Sequence, residues 1–60
     1  MTFIKLTSLR SKRMFYVAAT DILVIWPEDD HSKLTFRTTG NTLEVKESVK
    51  EILDMIAEAS

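Results

Sequence analysis

Apolar and polar residues alternate over the first stretch of the chain. In "FIKLTS" (Phe3–Ser8), Ile4 and Leu6 fall on one face and Lys5 and Thr7 on the other, the period-two pattern of a half-buried strand. "LRSKR" follows, polar and basic, and predicts a hairpin loop. "MFYVAA" (Met14–Ala19), rich in aromatic and β-branched residues, predicts the returning strand. Thr20 and Asp21 interrupt the pattern. "ILVIW" (Ile22–Trp26) is apolar on both faces, as in a strand buried on two sides. Pro27 ends it, because proline has no amide hydrogen to give to a sheet ladder.

"EDDHS" (Glu28–Ser32) predicts a solvated turn. "KLTFRT" (Lys33–Thr38) alternates again, with Leu34 and Phe36 inward and Lys33, Thr35 and Arg37 outward. "TGN" supplies residues that tolerate left-handed backbone, and "TLEVK" (Thr42–Lys46) alternates with Leu43 and Val45 inward. The period then changes. Ser48 and Glu51 stand three apart, the spacing of a capping box in which each side chain accepts from the other's amide. Val49, Ile52, Leu53 and Ile56 form one helical stripe, widened by Met55, Ala57 and Ala59. Asp54 and Glu58 oppose the helix dipole, which predicts a fraying last turn. The predicted fold is α+β: a small, bent, mostly antiparallel five-stranded sheet followed by one C-terminal amphipathic helix. Residues 1–60 form one domain, with the sheet over about 3–46 and the helix over about 49–58.

Size and composition narrow the chemistry. A 60-residue chain buries only about 60% of the surface its unfolded form exposes, so its margin of stability is thin. With no cysteine, neither a disulfide nor a thiolate metal site can staple it, and its single histidine, His31, rules out a multi-histidine zinc site. Small chains without staples often gain stability by pairing with copies of themselves, so a homo-oligomer is expected. The longest apolar run, Ile22–Trp26, falls far short of the roughly 20 residues of a membrane span, so no membrane insertion is expected. Lys5, Arg10, Lys12 and Arg13 break up any signal-peptide core, and with the missing cysteines this predicts a cytoplasmic protein.

Charge is unevenly spread. Residues 1–27 set Lys5, Arg10, Lys12 and Arg13 against Asp21, a balance of +3; residues 28–60 set four cations against eight acids, a balance of −4. The net −1 lacks the basic excess of a dedicated nucleic-acid binder. A phosphate-contacting role would have to sit on the local patch Arg10, Lys12 and Arg13, for which a solvated hairpin loop is the simpler account. Trp26 with Pro27 caps the core edge or anchors an interface, as tryptophan often does, and Tyr16 joins them as a candidate protein-contacting residue. The adjacent ligands of "EDDH" cannot easily converge on one ion, since calcium loops space theirs at alternate positions. No cysteine nucleophile, Ser/His/Asp arrangement or glycine-rich phosphate loop is evident, so neither an enzyme nor a cofactor is expected. On the outward faces of the fourth and fifth strands, Lys33 and Arg37 are expected opposite Glu44.

The order of these elements carries a resemblance. "IKLTSL", "FYV", "DIL" and "LTFRTTGNTLEVKESVKEIL" together resemble the FlbD/SwrD family of small flagellar and swarming-motility proteins. Ile4, Lys5, Leu6, Thr7 and Leu9 match its first element, Asp21 and Ile22 its middle one, and Thr35, Gly40, Val45, Glu47, Ser48 and Glu51 its last. The likeness covers nearly the whole chain. It departs where the family's asparagine-glycine hairpin turn is replaced by Arg10-Ser11-Lys12-Arg13, and where Trp26-Pro27 stands in place of a glutamate. The resemblance implies a non-enzymatic protein–protein interaction module whose partner belongs to the flagellar motor or its assembly. Similar short sequences occur in phage and mobile elements, which would make the partner a host factor. A weaker similarity, to the LytTR type of DNA-binding domain, implies a nucleic-acid-binding regulator instead.

Overall fold

In a computed structural model describing residues 2–59, the chain forms five strands and a helix in the expected order. β1 (Phe3–Thr7) and β2 (Met14–Ala18) form an antiparallel hairpin with Ile4 opposite Val17 and Leu6 opposite Phe15. A single 3-10 turn, η1 (Ala19–Asp21), turns the chain into β3 (Ile22–Pro27). β3, β4 (Ser32–Phe36) and β5 (Thr42–Val45) form an antiparallel meander, and α1 (Val49–Ala59) closes the fold.

The five strands do not make one sheet. They divide into a two-stranded sheet, β1–β2, and a three-stranded sheet, β3–β4–β5. One corner joins them: Ser8 bridges Val45, the Leu9 amide donates to the Glu44 carbonyl at 3.0 Å, and the Lys46 amide donates to the Thr7 carbonyl at 2.8 Å. The Thr7 amide donates in turn to the Glu47 carboxylate at 2.9 Å. The expected single sheet is therefore corrected to two sheets. The break falls at η1, where the carbonyl and carboxylate of Asp21 accept from Arg37 and Thr38 instead of continuing a ladder from β2 into β3.

The core lies between the sheets and beneath the helix. Ile4, Leu6, Leu34, Val45 and Ile52 form its buried cluster, with Phe15, Val17, Ile25, Phe36, Leu43 and Met55 among the half-buried side chains around it. The alternation in β1, β4 and β5 thus predicts their inward positions correctly. In β3 it does not. Leu23 and Trp26 are exposed, the register slips between Ile22 and Val24, and β3 pairs only with β4. This strand is an edge, not a strand buried on two sides.

The capping box forms as its spacing predicts: the Ser48 amide donates to Glu51 Oε1 at 3.1 Å and the Glu51 amide to Ser48 Oγ at 3.2 Å. The buried face of α1 is narrower than the sequence stripe. Ile52 is fully buried and Met55 and Ile56 pack against the core, but Leu53 is 52% exposed and Ala57 and Ala59 are exposed. α1 runs to Ala59, with Asp54 and Glu58 in its C-terminal half and no basic residue in its last turn. Lys50 pairs with Asp54 at 2.8 Å on the exposed face.

Candidate functional site

The hairpin loop between β1 and β2 exposes Arg10, Ser11, Lys12 and Arg13. It closes through the Ser8 amide donating to the Arg13 carbonyl at 2.8 Å and the Lys12 amide donating to the Ser8 carbonyl at 3.0 Å. Lys12 adopts φ +64°, a left-handed conformation that glycine or asparagine reaches with less strain. Arg10 and Ser11 line a groove of about 330 Å³ with Ser8, Lys33, Thr42, Leu43 and Glu44. Two cations and three hydroxyl groups meet there, but so does a carboxylate.

That carboxylate belongs to a clamp that the sequence did not reveal. The His31 side chain, 15% exposed, lies between two acids: Nδ1 is 2.9 Å from Asp30 and Nε2 2.7 Å from Glu44. Hydrogen bonds to Asp30 first, then to Glu44, hold the imidazolium and push the His31 pKa above its ordinary value. The same contact with His31 holds the Asp30 carboxyl below its usual range. "EDDHS" is therefore more than a solvated turn, because it ties the β3–β4 connection to β5. Lys33 does stand opposite Glu44 in register, as expected, yet Glu44 takes its ion pair from His31. Arg37 donates to the Thr20 carbonyl at 3.3 Å instead. Among the described residues, no group of three or more His, Asp or Glu side chains is arranged to hold a metal ion. No helix among them is long and apolar enough to cross a membrane.

Tyr16 and Trp26 fall on different sheets. Trp26 points outward from β3, 47% exposed, and its indole N–H donates to Thr35 Oγ1 at 3.1 Å; Pro27 beside it is exposed at the end of the strand. Tyr16 belongs to a more apolar surface. On the outward face of β1–β2, Phe3 is 55%, Met14 63% and Tyr16 69% exposed, with Lys5 directly opposite Tyr16. Two grooves adjoin this face. One, of about 550 Å³, runs past Phe3, Tyr16, Ala18, Asp21 and Arg37; the other, of about 270 Å³, lies between Phe15, Tyr16 and Val17 and the facing Phe36, Thr39 and Leu43. The second groove opens the seam left where β2 and the meander fail to join. The sequence marked Tyr16 as a candidate contact residue, but Phe3 and Met14 went unremarked as parts of the same surface; their shared parity with Tyr16 across the hairpin was the available signal.

Most residues that carry the family resemblance hold the architecture. Asp21 orders the segment at Thr38, Gly40 supplies φ +72° at the β4–β5 turn, Glu47 anchors Thr7, and Ser48 and Glu51 cap the helix. No family model matches the chain, and comparison with curated proteins and with solved structures found no match.

Proposed function

We propose that this chain is a small non-enzymatic protein–protein interaction module, of the kind the FlbD/SwrD resemblance implies in flagellar or swarming motility, and that it associates with itself. The observation that carries the reading is the outward face of β1–β2, where Phe3, Met14 and Tyr16 stand more than half exposed on one two-stranded sheet. Isolated exposed apolar side chains are ordinary, but three on one small face are the composition of a contact surface. Trp26 and Pro27 supply a second, smaller apolar site on the other sheet.

The test is affinity capture from a motile bacterial lysate, with nuclease treatment throughout. Flagellar or motility proteins should be retained by the unaltered chain, survive nuclease, and be lost with Met14→Ser/Tyr16→Ser; Trp26→Ala reports separately on the second site. Equal capture by the unaltered chain and by both variants would remove the reading.

One observation favours a nucleic-acid-binding alternative: Arg10 and Lys33 line the same groove beside the exposed Lys12 and Arg13. That reading requires binding that weakens steeply with salt and disappears on changing Arg10, Lys12 and Arg13 to alanine. Glu44 in the groove opposes it.

A further inference from the structure

Antiparallel ladders alternate between residue pairs whose backbone groups face each other and pairs whose groups face away. The hairpin's alternation is set at both ends, where the Ala19 amide donates to the Thr2 carbonyl and the Ser8 amide to the Arg13 carbonyl. Val17 and Phe15, opposite Ile4 and Leu6, therefore bond inward to β1. Met14, Tyr16 and Ala18, opposite Thr7, Lys5 and Phe3, turn their N–H and C=O groups away from it. Thr7 shows the same parity on the β1 side, since its outward amide and carbonyl reach Glu47 and Lys46. No strand takes up the corresponding edge of β2.

The edge strands β2 and β3 differ. β3 carries a register slip beside Leu23 and ends in Pro27, two devices that discourage strand addition. β2 reads Met-Phe-Tyr-Val-Ala, with no charge, proline or bulge. It is an unprotected edge beside the open seam.

We propose that β2 pairs antiparallel with β2 of a second copy of this chain, across a two-fold axis at Tyr16. This rests on the interaction-module reading and names its partner. The register is self-complementary: the Tyr16 residues of the two copies exchange N–H···O bonds, and each Ala18 amide meets the Met14 carbonyl of the other copy. Tyr16 meets its equivalent on the outward face, flanked by Met14 and Ala18. Charge fits as well: antiparallel pairing brings the end of β2 that follows Lys12 and Arg13 toward the end of the other copy's β2 that leads into η1 and Asp21, the single acid among residues 1–27. The two Lys5 side chains end up three strand spacings apart, about 14 Å, beyond the screening length of about 8 Å at physiological salt. With a net charge of −1 per copy, overall repulsion is slight. The incoming strand also covers the seam at Phe15, Tyr16, Val17, Phe36 and Leu43. A contact this small belongs at the weak end of specific interfaces, so the dimer forms at micromolar or higher concentration.

Sedimentation equilibrium over a concentration series, combined with residue-resolved amide hydrogen exchange, tests this. The expected result is a monomer–dimer equilibrium in which the Tyr16 and Ala18 amides gain protection as concentration rises, while those of Phe15 and Val17 are protected throughout. Tyr16→Pro removes an amide that points away from β1, so the hairpin ladder survives while dimerisation weakens at least about tenfold. Tyr16→Lys, which keeps the amide but adds an edge charge, should weaken it too; this second variant guards against a folding defect in the first. A dimer whose Tyr16 and Ala18 amides exchange freely, or one that both variants leave unchanged, would overturn strand pairing while leaving the module reading intact. A monomer at all concentrations overturns the pairing and, with it, self-association; if Tyr16-dependent capture of a motility protein persists, the reading as a module that binds other proteins survives.

Discussion

Ile52 is the sharpest point at which to test how the helix sits. It is the one helix residue in the buried cluster, fully enclosed, while Leu53 beside it is 52% exposed. Replacing a buried isoleucine by alanine costs about 2–5 kcal/mol, from lost transfer free energy plus the cavity left behind. A chain of 60 residues has a total stability of only about 3–9 kcal/mol, so Ile52→Ala removes from about a fifth to all of it. Leu53→Ala loses about half the burial of one leucine side chain, roughly 1 kcal/mol, and alanine's better helix propensity returns a little of that. Ile52→Val, which deletes one methylene, costs about 1 kcal/mol and lowers Tm by about 4–8 °C in a domain of this size. Urea unfolding followed by far-UV circular dichroism measures all three against the unaltered chain. The expected order is Leu53→Ala mildest or equal to Ile52→Val, with Ile52→Ala far below both. Equal losses for Ile52→Ala and Leu53→Ala would mean that α1 covers the sheets with the wider stripe read from the sequence, and the packing described above would be wrong.

Three further outcomes follow from local geometry. Ser48→Ala leaves the Glu51 amide without its 3.2 Å acceptor and should cost about 1 kcal/mol in the same urea assay, whereas Ser48→Thr keeps the cap and most of the stability. Lys12→Gly relieves a side chain held at φ +64° and should raise stability by up to about 1 kcal/mol, while Lys12→Val, β-branched at that angle, should lower it; two variants changing stability in the same direction would refute the left-handed turn. The His31 pKa is raised in the folded state, so the clamp's contribution is complete below the unfolded value of 6.5 and is lost as pH rises through the folded pKa. The urea midpoint should fall across that window, and Glu44→Gln should shrink the fall and lower the His31 pKa read by NMR titration; a flat midpoint with an ordinary His31 pKa would dissolve the clamp.

Legibility followed sequence distance. The alternation that exposes Lys5 and buries Ile4 and Leu6 is written into consecutive residues, and so is the Ser48–Glu51 cap; both appear in the structure as the pattern predicts. "ILVIW" failed because an apolar run carries no parity: only the register slip beside Leu23 and the partner on one side reveal an edge. The extra breadth assigned to the helix stripe has a similar cause. Spacing admits both Ile52 and Leu53, and the packing of α1 against β1 and β3 chooses between them. The His31 clamp spans 13 residues and the Thr7–Glu47 contact 40, so neither leaves a local trace. For the candidate surface, Tyr16 could be named as a contact candidate, but its outward face and its grouping with Phe3 and Met14 needed the hairpin register.

The single corner that joins the sheets also sets an order of events during synthesis. Thr7 finds its partners only in Lys46 and Glu47, and Ile4 and Leu6 share a core with Val45 and Ile52. A two-stranded hairpin is marginal on its own in water, so β1 and β2 gain a lasting fold only once some 30 further residues have been made. Until those residues pack against it, the inner face of the hairpin, with Ile4, Leu6, Phe15 and Val17, is as uncovered as the face bearing Tyr16. A newly made chain therefore presents two apolar faces where the folded one presents one, and association with other chains competes with closure of the corner.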